Sequence, residues 1–221
     1  MSQQRGYDND GAWWQAVRFG FRLLYHEMAF TYDTVSYLVS LGQWRAWQRT
    51  ALQFLPDPTI GTVLEIAHGT GNLQLDLHAA GYNTVAFDYS AEMGHIARRK
   101  TARQGVTPPF VRGMAQQLPF ADNSVAAIVT TFPTNFIIQP ETLTEAHRIL
   151  QKDGRLIAVL NGTLTGSGAV TGFIEWLYKI TGQRDEGYAI TDYFGGYDYT
   201  AVEAHIVDCD GSQAQLIVLT K

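Results

Sequence analysis

The sequence predicts an α/β fold, Rossmann-like and doubly wound around a mostly parallel sheet, on three observations. Strand-length apolar runs alternate with helical patterns from residue 62 to residue 161, the order required by a parallel sheet with helices on both faces. The apolar run Thr62-Val63-Leu64-Glu65-Ile66-Ala67 feeds straight into His68-Gly69-Thr70-Gly71, a Gly-x-Gly turn that lets backbone approach a ligand where a Cβ would clash. The next apolar run, Thr84-Val85-Ala86-Phe87-Asp88, ends in a carboxylate. With 221 residues, 46% of them hydrophobic, the chain can bury one such core and little more.

Taken in order, a polar start is followed by Trp13, Val17, Leu24 and Met28 on one helical face, interrupted by Gly20. Trp44, Trp47, Ala51 and Phe54 repeat the helical spacing until Pro56-Asp57-Pro58 ends it. Strands are then expected at 62–67, 84–88, 109–112, 125–131 and 155–161, and helices at 72–81, 91–104 and 141–150. The helix from Asn72 carries leucines at 73, 75 and 77, spaced to pack back on the first strand. The tail, Val202 to Asp208 and Gln213 to Thr220 around Asp210-Gly211, reads as two strands joined by a tight turn.

A Gly-x-Gly turn serves dinucleotides as well, seating a pyrophosphate at a helix start. Gln74 stands where the third glycine of that fingerprint belongs, and Glu65 places an acid near the turn. Both point away from a pyrophosphate and toward a ligand with a cationic group. Asp88 is placed to accept from two ribose hydroxyls. A nucleoside carrying a positive charge fits the pair.

Four blocks resemble the class I S-adenosylmethionine-dependent methyltransferases: Val63 to Asn72, Asp88 to Met93, Gly113 to Val125, and Leu143 to Leu160. The piece Tyr32-Asp33-Thr34-Val35-Ser36-Tyr37, continuing to Leu41-Gly42-Gln43-Trp44-Arg45-Ala46-Trp47, is similar to the ubiquinone and menaquinone biosynthesis methyltransferases. The resemblance implies a seven-stranded sheet with an antiparallel C-terminal edge strand and an N-terminal helical lid, residues 1–58 forming the lid and 59–221 the core. It implies S-adenosylmethionine as cofactor, held by Glu65, Ala67, His68, Gly69, Gly71, Asp88, Tyr89, Met93, Ala115, Gln116 and Thr131. Glu65 would fix the methionine end directly or by polarising the turn, and Met93 would lie against the adenine or fill the core. Tyr37, Phe132, Thr134 and Asn135 would line the acceptor side, with His26 as base and Tyr32 beside it.

Two residues depart from the pattern. Ala67-His68 stands where relatives usually have glycine and a small residue, and Met114 where many have an acid that accepts from the adenine amine. His68 reads as a hydrogen-bonded packing residue, neutral if it faces a sulfonium. Adenine recognition then falls to the backbone of Ala115 and Gln116 or to the Gln116 amide.

Composition narrows the acceptor. A formal net charge of −5 removes the electrostatic footprint of a nucleic-acid enzyme. Cys209 is the only cysteine, so no thiolate cluster forms, and the absence of a signal-like start favours the cytoplasm. No His-Glu-x-x-His or paired acid cluster suggests a metal. The aromatics Trp13, Trp14, Phe19, Phe21, Phe30, Tyr32, Tyr37 and Trp44 favour a small, flat or apolar acceptor. A membrane-surface methyltransferase of a quinone or lipid amine, using Trp13, Trp14, Arg18, Phe19 and Arg22, is the second reading. A non-catalytic S-adenosylmethionine-binding protein and a nicotinamide-dependent reductase are further alternatives.

Overall fold

The computed structural model describes residues 31–165 and 197–221. Seven strands form one sheet: β1 (Val63–Ile66), β2 (Thr84–Asp88), β3 (Phe110–Arg112), β4 (Val125–Thr131), β5 (Leu150–Leu164), β6 (Ala201–Cys209) and β7 (Ser212–Thr220). Their order is β3-β2-β1-β4-β5-β7-β6. The first five pair in parallel, while β7 runs antiparallel to both β5 and β6. The carboxyl ends of β1 to β4 therefore lie along one edge, with the strand order reversing between β1 and β4. That crevice is where open α/β sheets bind ligands.

Period-two alternation sorts the strands' side chains into two cores. Leu64, Ile66, Phe87, Ile128, Leu156, Ile217 and Leu219 pack on one face with Leu143 and Ile149. Val63, Val129, Ile157, Val159, Leu216 and Val218 pack on the other with Leu73, Leu77 and Trp47. Each such aliphatic side chain contributes about 1.5–3 kcal/mol when fully buried. Helices α3 (Asn72–Ala79) and α5 (Pro140–Ile149) supply these layers, and α4 (Ala91–Ala102) follows β2. Ser90 caps α4 by accepting from the Met93 amide at 3.2 Å.

Among the described residues, two short helices precede the sheet, α1 (Tyr32–Val39) and α2 (Trp44–Arg49). Trp47 is 1% exposed and its indole donates to Ser212 Oγ at 2.9 Å. A Cβ on Gly162 would lie 2.1 Å from that indole, so only a glycine in β5 lets α2 sit so close. Arg45 and Arg49 both donate to the buried Asp76 of α3, at 2.9–3.0 Å, and fix the other side. The expected helix through Phe54 instead tightens to a 3-10 turn over Thr50–Phe54. Thr50 Oγ1 donates back to the Trp47 carbonyl at 2.7 Å, a local bond that competes with the α ladder.

The fifth strand is longer than expected. The glycine turn around Gly154 is absorbed as an irregularity within β5, between its pairings Val125↔Leu150 and Ala127↔Arg155. The C-terminal residue sews it in: Lys221 N donates to Gly154 O at 3.0 Å and its ammonium to Leu150 O at 2.7 Å.

Candidate active site

The turn after β1 is held in left-handed backbone at three positions, Ala67 (φ 59°), Gly69 (φ 54°) and Gly71 (φ 81°). A Cβ added at Gly69 would meet nothing within 4 Å, so the turn faces open space. At Gly71 it would lie 3.0 Å from the Ala97 Cβ, because α4 packs against the turn from behind. Ala67 has no such freedom, and its conformation costs roughly 1–2 kcal/mol that the surrounding fold must offset.

Asp88, at the end of β2, reaches across to this turn. One carboxylate oxygen accepts from the Gly69 amide at 2.9 Å and the other from the Ser90 amide at 2.8 Å. Two backbone donors leave lone pairs on both oxygens, which suits a vicinal diol. Tyr89 and Met114 follow the ends of β2 and β3 and are 63% and 55% exposed. Two large side chains left in solvent on neighbouring strand ends suit the faces of a flat base. Open turn, diol acceptor and exposed apolar flanks together fit an adenosyl group.

The loop after β3 is clamped from α5. Arg148 donates to Leu118 O (3.0 Å) and Phe120 O (2.9 Å), while Glu145 accepts from the Leu118 amide at 2.8 Å. Glu145 and Arg148 are themselves joined by two bonds of 2.7 and 2.8 Å. Ala115 is buried, and the Gln116 amide donates to Gln139 Oε1 at 2.5 Å. An i,i+3 acid–base pair in an amphipathic helix reads as a surface pair, so nothing local marks this one as gripping the loop.

Glu65 differs from its expectation. It is 1% exposed, on the β1 face that packs against α3, and accepts from Gln74 Nε2 at 2.6 Å. Gln74 in turn accepts from Thr84 Oγ1 at 2.7 Å. Burial, further assisted by the charges of Asp88 and Asp76, pushes its pKa up to about 8 against the Gln74 bond. The carboxyl is therefore neutral at pH 7 and turned into the core. Burial thus disfavours the negative charge expected beside the turn, and the side chain is held by Gln74. The third glycine that Gln74 replaces is thus the position that bonds this acid.

His68 is buried, its Nδ1–H donating to Gly69 O at 2.8 Å and its ring edge-on to Phe110 at 5.3 Å. Burial lowers its pKa against the pull of Asp88, 4.0 Å away, so the ring is neutral. Met93 is 2% exposed and packs within the core.

On the other side of the crevice, Phe132 follows β4 with φ 51°, a strained conformation for a bulky residue. It stacks on Trp44 at 4.0 Å between centroids, and Tyr32 lies edge-on to Trp44 at 6.2 Å. Gln48 Nε2 donates to Thr131 Oγ1 at 3.0 Å, leaving Gln48 Oε1 buried and unpartnered. Tyr37 is 64% exposed on α1, and Thr134 and Asn135 are exposed beyond Phe132. His26, with Trp13, Trp14, Phe19, Phe21 and Phe30, lies outside the described residues. No group of three or more metal-ligating side chains occurs among the described residues. No helix among them is long and apolar enough to cross a membrane.

A family profile described as a methyltransferase domain matches residues 63–154. The chain is 33% identical over 182 residues to a demethylmenaquinone methyltransferase of Thermus thermophilus, covering 80% of each. It is 31% identical over 144 residues to a ubiquinone/menaquinone biosynthesis C-methyltransferase of Geotalea uraniireducens, covering 61% of this chain and 60% of that one. In fold it is similar to a geranyl diphosphate C-methyltransferase of Streptomyces coelicolor solved with S-adenosylhomocysteine. The TM-score is 0.56 at 13% identity, over 79% of this chain and 78% of that one.

Proposed function

This chain belongs to the class I S-adenosylmethionine-dependent methyltransferases, in the group of the ubiquinone and menaquinone biosynthesis enzymes, and we propose that it methylates a ring carbon of a hydroquinone. The observation that carries the reading is the aromatic column Tyr32, Trp44 and Phe132 at the carboxyl end of β4. Strain at Phe132 is the kind held at functional sites, and stacked rings are the surface on which a flat bicyclic acceptor lies. Similarity to enzymes named for demethylmenaquinone and for C-methylation selects the hydroquinone among flat acceptors.

S-adenosylmethionine supplies a methyl on a sulfonium, which is already a good leaving group. The chain therefore has to position and dehydrate rather than activate. Asp88 and the Gly69 turn would hold the ribose, and Tyr89 and Met114 would flank the base. Phe132 and Trp44 would set the plane of the acceptor ring against the methyl donor. The transfer would leave neutral S-adenosylhomocysteine as its sulfur–methyl bond breaks, and the ring carbon would then release its proton to solvent as the ring regains aromaticity.

The test is turnover with a short-chain demethylnaphthoquinone in reduced and oxidised form, beside simple phenols and amines. The reduced quinone alone should accept methyl, because the oxidised ring is electrophilic. Phe132→Ala should lower turnover at least tenfold, about 1.4 kcal/mol, with S-adenosylhomocysteine binding kept. Preferential methylation of an amine would overturn the reading.

A further inference from the structure

The carboxylate of Asp33, in the first turn of α1, is the hub of a closed hydrogen-bonded network that joins this helix to the cofactor turn. Thr70 Oγ1 donates to it at 2.6 Å and Asn72 Nδ2 at 3.1 Å, both onto Oδ1. The Lys100 ammonium donates to the other oxygen, to Thr70 Oγ1 at 3.1 Å and to Asn72 Oδ1 at 2.8 Å. Every polar group here acts in a role its chemistry allows. The ammonium spends three donors, the threonine hydroxyl gives one and accepts one, and the asparagine amide does the same. Burial opposes the charge of Asp33, but the bonds from Lys100 and Thr70, with the nearby ammonium and Asn72, outweigh it and hold the carboxyl below its ordinary pKa.

Thr70 and Asn72 flank Gly71, and Lys100 stands on α4, whose Ala97 packs against that glycine. Four elements thus meet at one carboxylate: α1, the turn, the start of α3, and α4. The same α1 begins with Tyr32, which abuts the Trp44–Phe132 stack on the acceptor side.

We propose that Asp33 is a positioning residue, a latch that couples the seat of α1 to the conformation of the Gly69–Gly71 turn. Ordering of the turn by a bound adenosyl group and the seating of α1 are then one event. A local cap would stabilise the helix alone, whereas a hub shared between α1 and the turn makes each depend on the other. The latch acts on the cofactor side, and its test needs no methyl acceptor.

Asp33→Asn keeps the shape and removes the charge, and Lys100→Met does so from a separate helix. Thr70→Val keeps volume and removes the hydroxyl, with Thr70→Ser as the conservative rescue. Two quantities are measured on the full chain: S-adenosylhomocysteine affinity by calorimetry, and amide exchange of residues 32–39 in the bound protein. We expect affinity to fall about tenfold and exchange of 32–39 to accelerate together in Asp33→Asn, Lys100→Met and Thr70→Val, with both restored in Thr70→Ser. Weakened affinity with unchanged exchange, faster exchange with unchanged affinity, or no change in either would overturn the latch.

Discussion

Asp88 shows how a single carboxylate both builds a turn and leaves capacity for a ligand. It accepts from Gly69 and Ser90 with one oxygen each, so Asp88→Asn keeps the shape but sets an amide donor against one of those N–H groups. S-adenosylhomocysteine affinity should fall at least tenfold, about 1.4 kcal/mol, by calorimetry; unchanged affinity would remove Asp88 from the site. Glu65 makes the opposite case, an acid kept neutral. Its pKa is about 8 in the fold against 4.5 for an ordinary glutamate, so the native state binds the extra proton. Stability from this group is complete below about pH 4.5 and is lost as pH rises through about 8, by roughly 1.4 kcal/mol per unit inside that window. Denaturant unfolding of Glu65→Gln should lack this slope, and a wild-type slope in the variant would contradict the assignment. The sequence displayed both acids at strand ends but not their difference. Asp88 ends its strand beside free backbone donors, whereas Glu65 is one residue further inside and faces Gln74.

At the scale of elements, strand and helix positions were legible because apolar period two and helical spacing are local signals. The strand 125–131 and the strand 84–88 coincide with expectation to the residue. What local pattern could not carry was the contact between distant segments. Trp47 under Gly162, the Lys221 clip on β5 and the grip of Arg148 on residues 118–120 each join residues that the chain separates widely. The Arg148 clamp bears on the proposed cofactor side, because the loop it holds follows β3. Arg148→Met releases two backbone carbonyls and leaves Glu145 without its cation. Hydrogen bonds to a charged group contribute about 1.5–3 kcal/mol each, so the loop should loosen while the sheet persists. We expect the cofactor KM to rise several-fold with kcat at saturating cofactor nearly kept; an equal loss in kcat alone would place the clamp on the acceptor side.

For the whole molecule, the strand order reverses between β1 and β4 and so places two different surfaces on either side of one crevice. Polar and open backbone groups stand at the ends of β1 and β2, and an aromatic column stands at the end of β4. The first surface was readable from glycines and an acid in fixed order. The second was legible only as separate residues: Tyr32, Trp44 and Phe132 each stand out in the sequence, but they are scattered along the chain and only the seating of α1 and α2 stacks them. The proposed division of labour, cofactor on one side and a flat hydroquinone on the other, goes with methylation at a ring carbon. The measurement that tests this most directly is incubation with S-adenosylmethionine bearing a deuterated methyl and a reduced demethylnaphthoquinone, followed by locating the label in the product. We predict one labelled methyl on a ring carbon; label on an oxygen, or none in the product, would contradict the account.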